Sequence, residues 1–269
     1  CPAQIAALKR SKVSSKRTTE AIKKSHELWH SLVLKYPNVP DYQDELARAL
    51  SNLAPMLVGH EAEEAYNRTV EIRVKLAGQF SDVRPYQEDL ARSLGELGNF
   101  LKNAGKVRDA ADAFRNASQN WHALATSSPG SISYLKNLAD TSNNLGIALA
   151  GTGRPDDAEL AYRKALWAMG QLPDEVAARP EHRESFGKVH QNIGLLIGTR
   201  QLDEAEASLR FARTTFTELL STSPDSPGLR HSLAAADSAL GNVLAARDRL
   251  EEAEPLFRRQ LADHLHFIV

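Results

Sequence analysis

Apolar and small residues recur at helical spacing along the chain. In the clearest stretch they fall at offsets of 0, 4, 7, 11, 14 and 15 from Tyr134, which is one stripe of an α-helix. The segment 151–155 interrupts the stripe, and a second stripe runs over 158–172. Gly153 suits a helix C-cap, and Pro155 suits the first turn of a new helix. The pattern therefore predicts a helical hairpin, whose first and second helices we call helix A and helix B.

The same pattern recurs five times at nearly constant intervals. The first stripe positions are Tyr42, Tyr86, Tyr134, His182 and Leu229, spaced 44, 48, 48 and 47 residues apart. A fixed period of this size indicates stacked copies of one supersecondary unit rather than one globular core. Helix B is the most regular part, because a small residue is followed 14 positions later by a leucine in five copies and by Phe267 in the last copy. We expect these leucines to be buried between neighbouring repeats: Leu32, Leu76, Leu124, Leu172 and Leu219.

Two copies carry a further set of residues at matching positions. They are Leu97-Gly98…Gly105…Ala110…Phe114…Ala117 and Leu145-Gly146…Gly153…Ala158…Tyr162…Ala165. This set resembles the core of the tetratricopeptide repeat (TPR). The period of this chain exceeds the usual roughly 34 residues. It is closer to that of the extended repeats of the kinesin-light-chain type, which are also found C-terminal to some bacterial serine/threonine kinases. The resemblance implies an all-α fold, a right-handed superhelical α-solenoid of about five hairpins with extended helices.

The repeat positions predict the organisation of the chain. We expect a basic lead-in or degenerate helix at 1–17 and a TPR-like array over 18–269, in which a lone helix B at 18–35 comes first. The predicted hairpins cover about 42–77, 86–125, 134–172, 182–220 and 229–269. In the first hairpin Pro55 is predicted to end or kink helix A.

Composition and charge narrow the class of partner. The net charge of −1 conceals +6 over residues 1–35, where basic residues cluster at 9–17. No aromatic residues are interleaved there for base stacking, so a solvated face is favoured over a patch for nucleic acid or anionic lipid. No apolar run approaches the roughly 18 residues needed to span a bilayer. The single cysteine excludes an internal disulfide and fits a cytoplasmic setting.

No constellation of catalytic residues is apparent. The segment 151–155 lacks the Gly-Lys-Ser/Thr ending of a phosphate loop. His26 and His30 are spaced to share one helix face, but no third metal ligand is in register with them. We therefore predict no enzymatic activity, metal or cofactor for this chain.

The helix A surface is the predicted binding site. The resemblance implies that helix A lines a concave groove for a peptide or protein segment, and that family members grip peptide backbones or C-terminal carboxylates with Lys, Arg and Asn from this surface. Six residues at offsets 6, 9 and 13 are the candidates: Arg48, Arg92, Asn99, Asn143, Lys188 and Gln191.

A second interpretation of the basic residues stays open. Asp44, Glu88 and Glu184 precede Arg48, Arg92 and Lys188 by four positions. Such acid-before-base pairs stabilise a helix by roughly 0.2–0.5 kcal/mol each. The basic row could therefore support its own helices, bind a ligand, or do both.

Two further functional hypotheses follow from the ends of the chain. Because the sequence opens on Cys1 rather than Met, the array could be the regulatory or scaffold region of a larger bacterial serine/threonine protein kinase. Leu265, Phe267, Ile268 and Val269 end the last helix B without a following polar cap. The array could therefore be a self-associating assembly module that pairs through its C-terminal helix.

Overall fold

The computed structural model describes the backbone of residues 2–266 and the side chains of residues 19–258. Within that range the chain forms twelve α-helices, one 3₁₀ turn and no strand, which confirms the all-α prediction. The helices are α1 (Pro2–Lys35), α2 (Pro40–Leu53), α3 (Gly59–Gln79), α4 (Arg84–Asn103), α5 (Val107–Ser127), α6 (Ile132–Gly151), α7 (Pro155–Gly170), α8 (Asp174–Ala177), α9 (Pro180–Ile197), α10 (Leu202–Thr222), α11 (Pro227–Ala246) and α12 (Leu250–His266).

The chain divides into two compact units. Unit 1 covers Cys1–Leu124 and unit 2 covers Ala125–Val269. In unit 1, α1 packs against α2, α2 against α3, and α3 against α4. In unit 2, the pairs α6/α7, α9/α10 and α11/α12 pack as hairpins, and α7/α9 and α10/α11 join one hairpin to the next. Helix A of the five hairpins is therefore α2, α4, α6, α9 and α11.

Small residues on helix A make room for large residues on helix B. A Cβ placed on Gly98 of α4 would lie 2.7 Å from the ring of Phe114 on α5, and one on Gly241 of α11 would lie 2.7 Å from the ring of Phe257 on α12. Gly146 likewise lies against the ring of Tyr162. The glycine of helix A and the large residue of helix B, which both recur in the sequence, are thus in direct contact where the two helices approach closely.

The hairpin turns contain the glycine and proline residues predicted to end the helices. Gly153 has a φ of +74°, and the Arg154 N–H behind it donates to the Leu149 carbonyl at 3.0 Å, which closes α6. In the first hairpin α2 ends at Leu53 and a 3₁₀ turn, Ala54–Met56, contains Pro55, as predicted. In the last hairpin Asp248 takes the left-handed conformation, with a φ of +61°.

Four of the five recurring leucines are buried. Leu76 is 0% exposed, and Leu124, Leu172 and Leu219 are also buried, whereas Leu32 is half-buried. Leu219 of α10 shares a core cluster with Leu229 of α11, so it packs between consecutive hairpins, as predicted. The repeat core therefore extends from one hairpin into the next.

Several sequence predictions fall outside the described side chains. These include the basic residues of 9–17 and the apolar C-terminal residues Leu265, Phe267, Ile268 and Val269. The backbone of α1 is continuous across the boundary predicted at residues 17 and 18. Among the described residues no helix has both the length and the apolar character needed to cross a membrane.

Candidate functional site

Two of the predicted binding residues line one open depression in unit 1. Arg48 on α2 and Arg92 on α4 occupy the same helix A offset in consecutive hairpins, and their side chains are 58% and 59% exposed. The depression encloses about 470 Å³ and is polar, because Ser51, Ser93 and Glu96 also line it. Two exposed guanidinium groups thus share one concavity.

The depression also contains a buried arginine that the sequence analysis missed. Arg73 comes from α3 and is 3% exposed. Its Nη1 pairs with the Asp44 carboxylate on α2 and lies 3.1 Å from Oδ2 of Asp89 on α4. Asp44 in turn lies 3.2 Å from Nε of Arg48, and Asp89 pairs with Arg92. We call this alternating series Arg48–Asp44–Arg73–Asp89–Arg92 the five-charge chain.

Burial sets the electrostatics of the depression. Desolvation, reinforced by the positive charge of Arg92, lowers the pKa of Arg73 to about 10, so Arg73 remains protonated at neutral pH. Burial also raises the pKa of Glu96, although Arg92 and Arg73 oppose that shift. Arg73 Nε–H has no hydrogen-bond partner among the described residues. The five-charge chain is therefore a fixed arrangement whose two ends are exposed cations.

Intrahelical pairing in the basic row is also observed, with the predicted acid for Arg48 and Lys188 and with a different one for Arg92. Asp44 pairs with Arg48, and Glu184 Oε1 lies 2.5 Å from Lys188 Nζ, both at a spacing of four residues. Arg92 pairs with Asp89, three residues before it. Because Asp44 also pairs with Arg73, the acid before Arg48 supports more than its own helix. Helix stabilisation and an exposed basic surface coexist here.

The remaining candidates are distributed over both units. Asn99 is exposed on α4 in unit 1, and Lys188, 47% exposed, lies on α9 in unit 2. Asn143 on α6 accepts a hydrogen bond from Asn192 Nδ2 on α9 at 2.9 Å. Two consecutive helices A of unit 2 are thus joined through side-chain amides.

Gln191 differs from the surface position expected for it. It is buried, and its Nε2 donates to the Ser232 carbonyl of α11 at 3.3 Å. The offset that faces outward on a lone helix A is here covered by the next helix A. Gln191 therefore joins α9 to α11 rather than presenting a free amide.

A second set of contacts missed from the sequence links three of the hairpin turns to the preceding helix B. Arg249 Nη1, in the turn before α12, lies 2.8 Å from Oε2 of Glu206 on α10. Lys106 Nζ, before α5, lies 2.6 Å from Oε1 of Glu63 on α3. Gln201 Nε2 makes the equivalent contact with Glu159 at 3.4 Å. We call these contacts turn latches, and their signal is a fixed register, four residues before and one after the small residue of helix B.

The sequence itself identifies the repeat. A family model described as Tetratricopeptide repeat matches residues 138–166, which lie in α6, its turn and α7. These residues are similar to a tetratricopeptide repeat. The matched TPR segment contains the Gly146–Tyr162 approach and the left-handed Gly153. A search of curated proteins gives no significant match.

Two of the similar solved structures show the same TPR fold at low sequence identity. BtubC (BKLC) from P. vanneervenii matches with a TM-score of 0.60 and 17% identity, over 94% of this chain and 91% of that one. YrrB, described as a TPR protein with an unusual peptide-binding site, matches with a TM-score of 0.53 and 15% identity, over 88% of this chain and 93% of that one. A putative kinesin light chain from Podosopora anserina with TPR-like repeats gives a TM-score of 0.45 and 16% identity, over 91% and 94% of the two chains.

The described part of the chain offers no metal centre. No group of three or more His, Cys, Asp or Glu side chains in that part is arranged to hold a metal ion. His26 and His30 stack on each other on α1, with ring centroids 5.9 Å apart.

Proposed function

We propose that this TPR array is a protein-interaction scaffold, and that the depression in unit 1 binds a peptide or protein segment through Arg48 and Arg92. The observation that carries the proposal is the five-charge chain, which holds two exposed guanidinium groups at equivalent positions of consecutive hairpins. The peptide-binding site described for YrrB supports the same class of function.

Preorganisation is the proposed mechanism. A guanidinium group can bind a carboxylate or a backbone carbonyl through several N–H donors in a fixed geometry. Asp44 and Asp89 each hold an exposed arginine on one side and the buried Arg73 on the other, so the exposed arginines lose little freedom when a ligand binds. Asn99 in unit 1, and Asn143 and Lys188 in unit 2, are proposed as further contacts on the helix A surfaces of their own units.

Peptide selection with a charge-deleted variant tests this function. The full chain is used to select binders from a phage-displayed library of random peptides, and the selected peptides are measured by fluorescence anisotropy. We expect the double variant Arg48→Ala/Arg92→Ala to lose at least about tenfold in affinity, because two ion-pairing donors are removed. Arg258→Ala is the matched control, since Arg258 is also exposed and also pairs within its helix, with Glu254.

Thermal melting separates binding from folding in this test. Both arginines are more than half exposed, so the double variant should melt close to the parent chain. If the selected peptides bind the double variant as tightly as the parent, the depression is not the binding site. If the library yields no peptide that binds the folded chain, the scaffold function itself is contradicted.

A further inference from the structure

Unit 1 carries a second groove that shares no lining residue with the depression. It encloses about 490 Å³ and lies against α1, α2 and α3. Leu46 and Ile72 form its buried floor, and Leu34, Arg68 and Lys75 lie at its exposed rim. We call it the α1–α3 groove.

The floor of the α1–α3 groove is apolar and continuous with the core. Leu46 is 2% and Ile72 7% exposed, and Val33 of α1 packs against the same core cluster. Leu34, the next residue on α1, is 71% exposed. The exposed side chain of Leu34 thus lies beside an apolar floor, and the groove has room for an aliphatic side chain from another molecule.

The rim of the groove carries a charged residue that has no ion-pair partner in the described part of the chain. At the equivalent position in unit 2 the charged residue does have one. Lys75 lies 13 residues after the small residue of its helix B, and Glu218 lies at the same position in α10. In unit 2, Glu218 pairs with Arg183 of α9. In unit 1, the position of Arg183 is taken by Gln43, which turns to the carbonyl of Pro37 instead.

Lys75 is consequently without an acidic partner among the described residues. The nearby Arg68 is already paired, with Glu71 of the same helix, at 2.8 Å. The rim therefore presents two cations and one carboxylate, and the group missing next to Lys75 is an acid. An aliphatic floor and an uncompensated ammonium group within one groove define the chemistry of an occupant.

We propose that the α1–α3 groove binds a segment of a partner protein that presents an aliphatic side chain beside an acidic residue. The aliphatic side chain packs on Leu46, Ile72 and Leu34, and the carboxylate pairs with Lys75. Burial of apolar area supplies most of the affinity, and the ion pair selects acidic over basic segments. The proposal concerns a surface separate from the depression of Arg48 and Arg92, so either site can exist without the other.

A subtractive selection tests the proposal. A phage-displayed library of random peptides is selected on the full chain after removal of phage that bind the variant Leu34→Asp/Lys75→Glu. The expected sequences combine Leu, Ile or Val with Asp or Glu. For the synthetic peptides, Lys75→Glu should weaken binding by about tenfold, because attraction becomes repulsion. Both substituted side chains are exposed, so circular dichroism and melting should match those of the parent chain.

Substitutions of exposed residues outside the groove serve as controls. Lys24→Glu on α1 and Leu160→Asp on α7, where Leu160 is 67% exposed, repeat the same chemistry away from the groove and should leave binding unchanged. Arg48→Ala/Arg92→Ala should also leave it unchanged, which separates this groove from the depression. Failure to recover any peptide sensitive to Leu34→Asp/Lys75→Glu overturns the proposal, and so does recovery of sensitive peptides that are basic.

Discussion

Arg73 Nη1 lies 3.1 Å from Asp89 Oδ2, although the two residues belong to consecutive hairpins. The arginine is 3% exposed and the Asp89 side chain 11%, so the contact is largely withdrawn from water. Asp44, in the helix before Arg73, pairs with the same guanidinium group. One buried side chain of α3 thus connects α2 to α4 beneath the proposed binding depression.

Replacing Arg73 should therefore destabilise unit 1. Arg73→Met keeps much of the side-chain volume but leaves Asp44 and Asp89 facing each other without their shared cation. Breaking a buried ion pair from one side costs about 3–5 kcal/mol, and the partial exposure of both aspartates argues for the lower end. Urea unfolding measures the loss. The triple variant Arg73→Met/Asp44→Asn/Asp89→Asn should regain part of it, and no regain would mean that packing rather than charge is responsible.

The position of Arg73 also explains why the fold was easier to predict than the site. The hairpins follow from periodicity, because each repeat repeats the same apolar and small positions. Arg73 lies 11 residues after the small residue of its helix B, where other copies have Trp121, Met169 and Phe216. A charged residue on a buried stripe was therefore a visible signal, but its aspartate partners follow only from how the helices pack.

Gln191 and the turn latches show what the sequence pattern alone could not predict. On a lone helix A the offset of Gln191 faces solvent, and only the packing of α11 buries it against the Ser232 carbonyl. Glu206 and Arg249 look like ordinary surface charges until two hairpins stack and bring them within 2.8 Å. Contacts between repeats depend on the stacking geometry, which the period of a sequence does not specify.

The approach of Gly146 to Tyr162 predicts a strong effect from one added methyl group. Gly146→Ala would place a Cβ 2.4 Å from the ring of Tyr162, which is buried in the hairpin. We expect a loss of about 1–3 kcal/mol in the free energy of unfolding, because overpacking forces the ring or the helix to shift. Gly95→Ala on α4 is the control, since nothing lies within 4 Å of its added Cβ. Higher helix propensity should stabilise that variant by up to about 1 kcal/mol. Equal effects of the two substitutions would contradict the close approach.

The recurring leucines predict a second measurable stability effect. Leu124 and Leu172 are 6% and 8% exposed, and replacing either by Ala removes buried methyl groups from the helix B core. A loss of about 2–5 kcal/mol is expected from the lost transfer free energy and the cavity left behind. Leu160→Ala, at a residue that is 67% exposed, should cost far less. If chemical denaturation gives less than about 1 kcal/mol for both buried leucines, the assigned repeat register is wrong.

The ion pairs of helix B predict how the protein responds to acid. Hydrogen bonding to Arg163 comes first among the causes that hold the pKa of Glu159 below its ordinary value. At Glu206 burial acts to raise the pKa, but hydrogen bonds from Arg210 and Arg249 outweigh it and lower the pKa overall.

A carboxylate with a lowered folded-state pKa stabilises the fold fully above its unfolded pKa, about 4.3 for Glu. That stabilisation is lost as the pH falls through the lower folded-state pKa. The double variant Glu159→Gln/Glu206→Gln should therefore melt at a lower temperature than the parent at neutral pH, and the difference should shrink below about pH 4.3. Melting curves followed by circular dichroism across this range provide the measurement. Glu254→Gln is the control, because Glu254 forms an exposed ion pair with Arg258 on α12. A difference that stays constant down to the acid limit would show that these carboxylates contribute through packing rather than through charge.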